Sequence, residues 1–572
     1  MSSSLRSEQI YWSRARCSRT LPPLSPERIY LESRALLARA PAPLAGANLF
    51  GVARAARARS HSSRAYDLYS LTTLVMRFRA LLAALVLGAS VAACKSDLDV
   101  TNPNQLNSQT FWSTADDALQ GVNATYNGLL QLGTYLRWQG FTYDIRSDIG
   151  YSPSPWTDLA NFNKFTFATY DFDVNHDTWN DTYRTIFRAN QVIANVPTIN
   201  MDPTLRSRYV GEAKFLRGLL YFHLITLYGG NIPLITAPPL PGDRPPSSDS
   251  AKVWAQIQTD LTDAAASLPA SYSGADVGRA TSGAAKGLLG KVLLQQHKWA
   301  EAGTQLLAVI QSGKYSLDPS YANNFTASGK NNVESLFEVQ VGNPTLAGSQ
   351  GIFGLNMSKM IGPCGPSFCD GRPTTWFFSQ FFQEQTTTGQ VDPRLDATIF
   401  WNKPGGMDVY GTPFATRYAS NLANHTPDTL FFKKYGEYYI PGDQSWDASI
   451  NYKVLRYADI LLMYAEALNE QNQTANAFQY INLVRARVSL APLAGLTQAQ
   501  LRDAIIHERL LEFGMEGQRW LDLGRANLFA DLTTLRAHDA EFNFYVANKS
   551  LLLPIPTAEI NLNPNIHQNP GW

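Results

Sequence analysis

The sequence predicts a helix-rich fold interrupted by one long loop-rich insertion. Three observations predict it. Apolar residues recur at helical spacing in a series of segments between Thr114 and Glu516. That period disappears between about 315 and 450, where Gly, Pro, Asn, Thr and aromatic residues dominate. Some helices follow one another through tight turns, a pairing that resembles tetratricopeptide repeats, although a strict period of 34 is not evident.

The elements follow in chain order. Asp97 to Asn107 is a polar tether with turn formers. Ser113 or Thr114 caps a first helix carrying Ala118, Val122, Tyr126 and Leu129/Leu130 on one face. From about Gly140 to Asp177 the period is lost, and Tyr151, Trp156 and many Asn, Ser, Pro and Asp residues predict a long irregular loop. Trp179 to Val196 and Leu205 to Tyr228 are helices, the second ended by Gly229-Gly230. Val253 to Leu268 presents Trp254, Ile257, Leu261 and Ala264/Ala265 on one face. Ser282 to Gln296 and Trp299 to Ser312 form a pair about the turn Gln296-His297-Lys298, with Ala284, Ala285 and Gly287 small enough for close approach. Short apolar runs such as Leu336 to Val339 predict short strands in the insertion. Tyr452 to Asn469, Ala475 to Val488 and Gln498 to Glu516 return to helix, and the tail from Leu551 is extended.

Composition narrows the function. The 572 residues carry 48 Lys+Arg against 47 Asp+Glu, without the basic excess of a nucleic-acid binder. Hydrophobic residues at 45% and charged residues at 17% allow a large packed core. Aromatics reach 12%, an excess that needs a use. The four cysteines, Cys17, Cys94, Cys364 and Cys369, form neither a disulfide-dense array nor a C-x-x-C metal pair.

The N-terminus is unlike the rest. Residues 1–75 hold 11 Arg, no Lys and 4 acids, with no sustained apolar period, and cannot order themselves by burial. Met76-Arg77-Phe78-Arg79 then precedes a run of about 13 apolar or small residues, too short for a membrane span, as in a secretory signal. Val91-Ala92-Ala93-Cys94 resembles a bacterial lipobox, which implies cleavage before Cys94 and lipid on its thiol. Several acyl chains anchor stably where one is marginal. We expect translation to start at Met76, 76–93 to be the signal peptide, and 1–75 to be a start-site error; an organelle transit peptide is the alternative. The mature chain from Cys94 would hold 479 residues with a net charge of −8.

Several segments form an ordered set: Trp179 to Asn190, Glu212 to Leu224, Gly229 to Leu234, Leu455 to Asn469, Ile481 to Arg487 and His507 to Arg519. The ending, Pro554-Ile-Pro556 and Asn569-Pro-Gly-Trp572, completes it. Together they resemble the SusD/RagB family of outer-membrane nutrient-binding lipoproteins. The resemblance spans Cys94 to Trp572. It implies an all-α, SusD-like fold with tetratricopeptide-like helix pairs, a helical region over 94–314 and a second region over 315–572 that holds the insertion. It also implies display at the outer-membrane surface beside a SusC-like TonB-dependent β-barrel, which imports the captured ligand.

Catalytic chemistry finds little support in the residues. Glu508, Glu512 and Glu516 recur at i+4, and a glycosidase would need two such carboxylates about 5–10 Å apart. Ion pairs with nearby arginines are the expected role instead, and Arg456 and Asp459, three apart, can pair on one helix side. His507-Glu508 lacks the second His of a zincin site, and His223 reads as a packing residue. There is no phosphate-cradling glycine loop and no nucleophile elbow, so neither metal nor cofactor is expected. Cys364 and Cys369 are expected to oxidise to a small-loop disulfide outside the inner membrane.

Sugar rings pack their C–H faces on flat aromatic surfaces, and their hydroxyls need planar polar partners, so a binding platform should combine both on loops. Two segments fit: Arg146, Asp148, Tyr151 and Trp156 in the first loop, and Arg372 and Trp376 in the insertion, with Trp401 and Trp446 as further candidates. The expected function is capture of a glycan and its delivery to the barrel, without catalysis. The alternatives are a peptide-binding RagB-like lipoprotein and, behind it, a secreted glycoside hydrolase.

Overall fold

A computed structural model of the chain describes residues 111–342, 354–423 and 429–572. The leader, the signal peptide, Cys94 and the tether lie outside the described residues.

The first long helix, α1, runs Ala115–Asn127 and is opened by a capping box: the Thr114 hydroxyl accepts from the Asp117 amide at 3.2 Å, and the Asp117 carboxylate accepts from the Thr114 amide at 2.8 Å. Helices α2 (Asp173–Asn195), α3 (Pro203–Tyr228), α4 (Ser250–Ser267), α5 (Ser282–Gln295) and α6 (Trp299–Gln311) follow. Asp202, Asp249 and Thr281 cap α3, α4 and α5, each accepting from a first-turn amide. After the insertion come α7 (Tyr457–Glu470), α8 (Thr474–Arg487) and α9 (Gln498–Phe513).

These helices stack as consecutive neighbours: α1 on α2, α2 on α3, and so on to α6. α7 then packs against α6, α8 and α9. Small residues set the closest approach. A Cβ on Gly287 would stand 2.8 Å from Leu455 and Ile460, and one on Gly290 would stand 2.7 Å from Leu306, so α5 presses against both α6 and the start of α7. The molecule is mostly helical with few short strands, and the helix pairs and the insertion are as the resemblance implies.

Four two-stranded antiparallel sheets interrupt the helices among the described residues. Two of them matter here. β1 (Gly150–Tyr151) pairs with β3 (Arg372–Pro373), setting Tyr151 opposite Arg372. β2 (Ser335–Val339) pairs with β4 (Tyr452–Arg456). The expected helix from Tyr452 is therefore corrected: its first five residues form a strand paired with β2, with Tyr452 and Leu455 buried and Val454 half-buried, and the helix begins only at Tyr457.

The expected loop between Gly140 and Asp177 is also corrected. Phe141 to Gly150 is buried without a break, and the segment contains a single-turn wide helix, Phe141–Ile145, and a short helix, Thr157–Asn163. Its polar groups can be buried because distant residues satisfy them. The Asp144 carboxylate accepts from the Gly517 amide at 2.6 Å, and burial raises its pKa to about 7. The tail is extended only as far as Pro556; Thr557–Leu562 is a helix, and Trp572 closes the chain by donating from Nε1 to the carbonyls of Lys549 and Leu552.

The insertion holds an apolar cluster of its own. Phe400, Val409, Tyr410, Phe414, Tyr418 and Phe431 are buried together, with Cys364 and Cys369 packed against them. The two cysteines are joined by a disulfide with the Cα atoms 4.9 Å apart.

Candidate functional site

Trp156 follows Ser152-Pro-Ser-Pro155, whose two prolines favour an extended backbone that carries the ring outward. It sits at the N-cap of Thr157–Asn163, its amide donating to the Ser154 hydroxyl at 3.1 Å. Its ring meets Trp138 edge-on at 6.1 Å and Phe172 at 5.1 Å, and it remains 39% exposed. Trp138 is buried, with Nε1 donating to Asp177 at 3.1 Å.

The next residue back extends this cluster into the insertion. The Arg137 guanidinium lies 5.3 Å from the Trp138 ring and 5.0 Å from the Trp446 ring. Trp446 in turn meets Phe368 at 5.3 Å, and these two rings are 40% and 49% exposed. Asn356 fixes the junction: its side chain donates to the Trp446 carbonyl at 2.6 Å and accepts from Arg137 Nη2 at 3.3 Å. The result is a surface strip, Phe368–Trp446–Arg137–Trp138–Trp156, with three exposed rings and one guanidinium.

The nominated residues divide accordingly. Trp156 and Trp446 belong to the strip. Tyr151 and Arg372 face each other across β1 and β3, and Arg372 also reaches the disulfide, 2.9 Å from Cys364 Sγ. Trp376 does not join the strip. It is half-buried and stacks on His538 with centroids 3.6 Å apart. Trp401 lies in a separate group with Phe378 and Phe382.

Arg146 and Asp148 require correction, because neither lies on an exposed loop. Arg146 is buried over the Trp520 ring at 4.2 Å and donates to the Ser550 carbonyl, and burial lowers its pKa to about 9. Asp148 is buried against Arg519, two bonds of 2.7 Å, and His538 at 3.0 Å. Both side chains are enclosed inside the fold, away from any ligand surface, although Arg146 Nε and Nη1 have no hydrogen-bond partner there. Arg137 was missed because its partner Trp446 is remote in sequence; an arginine adjoining a tryptophan just after the first helix was the only local signal.

The three glutamates recurring at i+4 are all ion-paired. Glu508 pairs with Arg394 and Arg485, Glu512 with Arg394, Arg456 and Arg487, and Glu516 with Arg456 and Lys434. Burial alone would push the Glu512 carboxyl up, but Arg487, Arg456 and Arg394 hold it well below the usual carboxylate range. A general acid needs the opposite shift. His223 is half-buried, with Nε2 2.6 Å from the Tyr135 hydroxyl and Nδ1 3.0 Å from that of Tyr143. Among the described residues no group of three or more His, Cys, Asp or Glu could hold a metal ion, and no helix is long and apolar enough to cross a membrane.

Comparison with known proteins agrees with this architecture. Residues 308–572 match the family model described as the SusD family, and residues 98–294 match one described as starch-binding, associating with the outer membrane. A SusD-like protein of Formosa agariphila is 27% identical over 514 residues, covering 83% of this chain and 95% of the relative. The crystal structure of a SusD superfamily protein from Bacteroides vulgatus shares the fold at a TM-score of 0.70 and 24% identity, covering 81% of this chain and all of that one. A structure described as a laminarin-binding SusD-like protein aligns at a TM-score of 0.65 and 28% identity, covering 80% of this chain and all of that one. The two family models leave little of the region from residue 98 to Trp572 unmatched, and the chain belongs to the SusD/RagB family.

Proposed function

We propose that this protein captures a glycan on the strip formed by Trp156, Trp446 and Phe368 and does not transform it. The observation that carries the reading is the set of three exposed rings linked through Arg137, an aromatic surface with a polar group at its centre. Links of 5.0, 5.3 and 6.1 Å separate its members, so the strip suits an oligosaccharide better than a single sugar. The 28% identical relative described as laminarin-binding supports a glycan over a peptide. Delivery to a SusC-like TonB-dependent β-barrel and anchoring through lipid on Cys94 complete the proposal; the family model described as associating with the outer membrane supports that location.

Isothermal titration against laminarin oligosaccharides, beside a panel of other glycans and peptides, tests the ligand class. Glycan binding that falls when Trp156 or Trp446 is replaced by Ala supports it. Peptide binding with no glycan binding would replace it with the RagB-like reading. Cys94→Ser should release the protein from the membrane fraction; retention there would remove the lipid anchor.

A further inference from the structure

Most buried or half-buried arginines in this fold are locked to carboxylates by forked pairs. Arg217 holds Asp260, Arg519 holds Asp148, and Arg525 holds Glu466. Arg137 belongs to a smaller set, with Arg146, Arg188, Arg206 and Arg417, that holds no carboxylate among the described residues, and it is set apart by the exposed Trp446 ring 5.0 Å away. Among the described residues its guanidinium has no carboxylate at ion-pair distance, its single hydrogen bond goes to the neutral Asn356, and its Nε is buried without a partner. Asp173 and Asp177 act on its charge only from beyond that distance, and Asp177 is engaged by Trp138 Nε1.

The other end of the exposed ring pair repeats the arrangement. Lys359 Nζ lies 5.4 Å over the Phe368 ring and donates to the Pro366 carbonyl at 2.9 Å, again with no carboxylate paired among the described residues. Lys359 and Asn356 lie on one short segment: Lys359 is in the helix Met357–Ile361 and Asn356 is its N-cap. Two cations thus bracket the exposed Trp446–Phe368 pair. A cation beside an aromatic face with no carboxylate paired to it keeps hydrogen-bonding capacity that an anion can take up. Asp447, which follows Trp446, is the nearest acid in sequence, and its carboxylate accepts from the Gly354 amide at 3.3 Å.

We propose that the captured glycan is acidic, carrying a carboxylate or a sulfate, and that Arg137 and Lys359 bind that group while its rings lie on Trp446 and Phe368. The inference rests on the glycan-binding reading above and narrows its ligand class. A planar guanidinium can accept either anion in a forked geometry, so the two share one recognition chemistry.

Calorimetry on the full chain at low ionic strength tests it with three probes: laminarihexaose, the same hexasaccharide sulfated, and a hexaglucuronate. At least one charged probe should bind about tenfold tighter than the neutral one. That advantage should shrink at about 1 M salt, where the Debye length is about 3 Å. Lys359→Gln should remove most of the advantage and leave laminarihexaose affinity within about twofold, whereas Arg137→Gln, which also unlinks the rings of the strip, should remove most of the advantage and lower laminarihexaose affinity as well. Equal binding of neutral and charged probes, or an advantage that survives both substitutions, overturns the acidic ligand and leaves glycan capture standing. Binding of none of the three overturns both. An acidic peptide that binds tighter than every glycan also overturns it. The better of the two charged probes identifies the anion.

Discussion

Arg456 and Asp459 are three residues apart and belong to different buried ion clusters. Arg456 bonds Glu516 at 2.7 Å and also meets Glu334 and Glu512. Asp459 bonds Arg509 at 2.7 Å and Lys291 at 3.0 Å. The i, i+3 pairing that the sequence suggests fails because Arg456 ends a strand, where successive side chains alternate, while Asp459 lies in the first turn of α7. Replacing Arg456 by Met leaves Glu512 and Glu516 buried with fewer positive partners and should cost about 3–5 kcal/mol in urea unfolding. Arg502→Gln, which breaks the more exposed pair with Glu470, should cost under about 1 kcal/mol. Equal losses would mean that Arg456 is not the hub of its cluster.

This pair shows where the sequence was readable. Long helices were visible because the 3.6 period runs through them and, in α1, agrees with the cap at Thr114. β4 was not, because its five residues run directly into α7 and their apolar side chains merge with the helical stripe. Arg146 and Asp148 looked like loop residues because nothing local announces that Ser550 and Arg519 will satisfy them. Trp156 and Trp446 could be named singly as flat exposed rings. Their union required Arg137 and Asn356, contacts set by tertiary packing.

His223 makes stability sensitive to acid. Burial, with Lys291 nearby, lowers its pKa to about 3, against about 6.5 for a free imidazole. As pH falls below about 6.5 the unfolded chain takes up this proton and the folded one does not, so stability drops by about 1.4 kcal/mol per pH unit until about pH 3. His223→Gln should cost stability at pH 7.5 and flatten the wild-type decline between pH 6.5 and 4.5. Parallel pH profiles for the two proteins would show that His223 is not the group responsible.

The disulfide should matter to both stability and the strip. Closing so short a loop contributes about 2 kcal/mol in the chain-entropy account. Phe368 lies inside that loop, between Cys364 and Cys369, so the Cys364→Ser/Cys369→Ser double variant should lower the unfolding midpoint and weaken glycan binding together. Thermal unfolding and calorimetry with and without reductant read both effects. A midpoint that moves with affinity unchanged would place Phe368 outside the ligand contact.

Trp156 and Trp446 should carry the stacking, and Trp376 should not. Trp156 and Trp446 are 39% and 40% exposed, and truncating either to Ala should weaken oligosaccharide binding by about 1–3 kcal/mol. Trp376 already gives one face to His538 at 3.6 Å and has Arg519 at 5.7 Å, so Trp376→Ala should cost fold stability before affinity. Shortening the ligand supplies a second readout. If one chain spans both exposed tryptophans, Trp156→Ala and Trp446→Ala should each penalise a hexasaccharide heavily. A disaccharide, too short to reach both, should feel only one of them. A hexasaccharide indifferent to both substitutions and sensitive to Trp376→Ala would move the binding surface to the face where Trp376 meets His538.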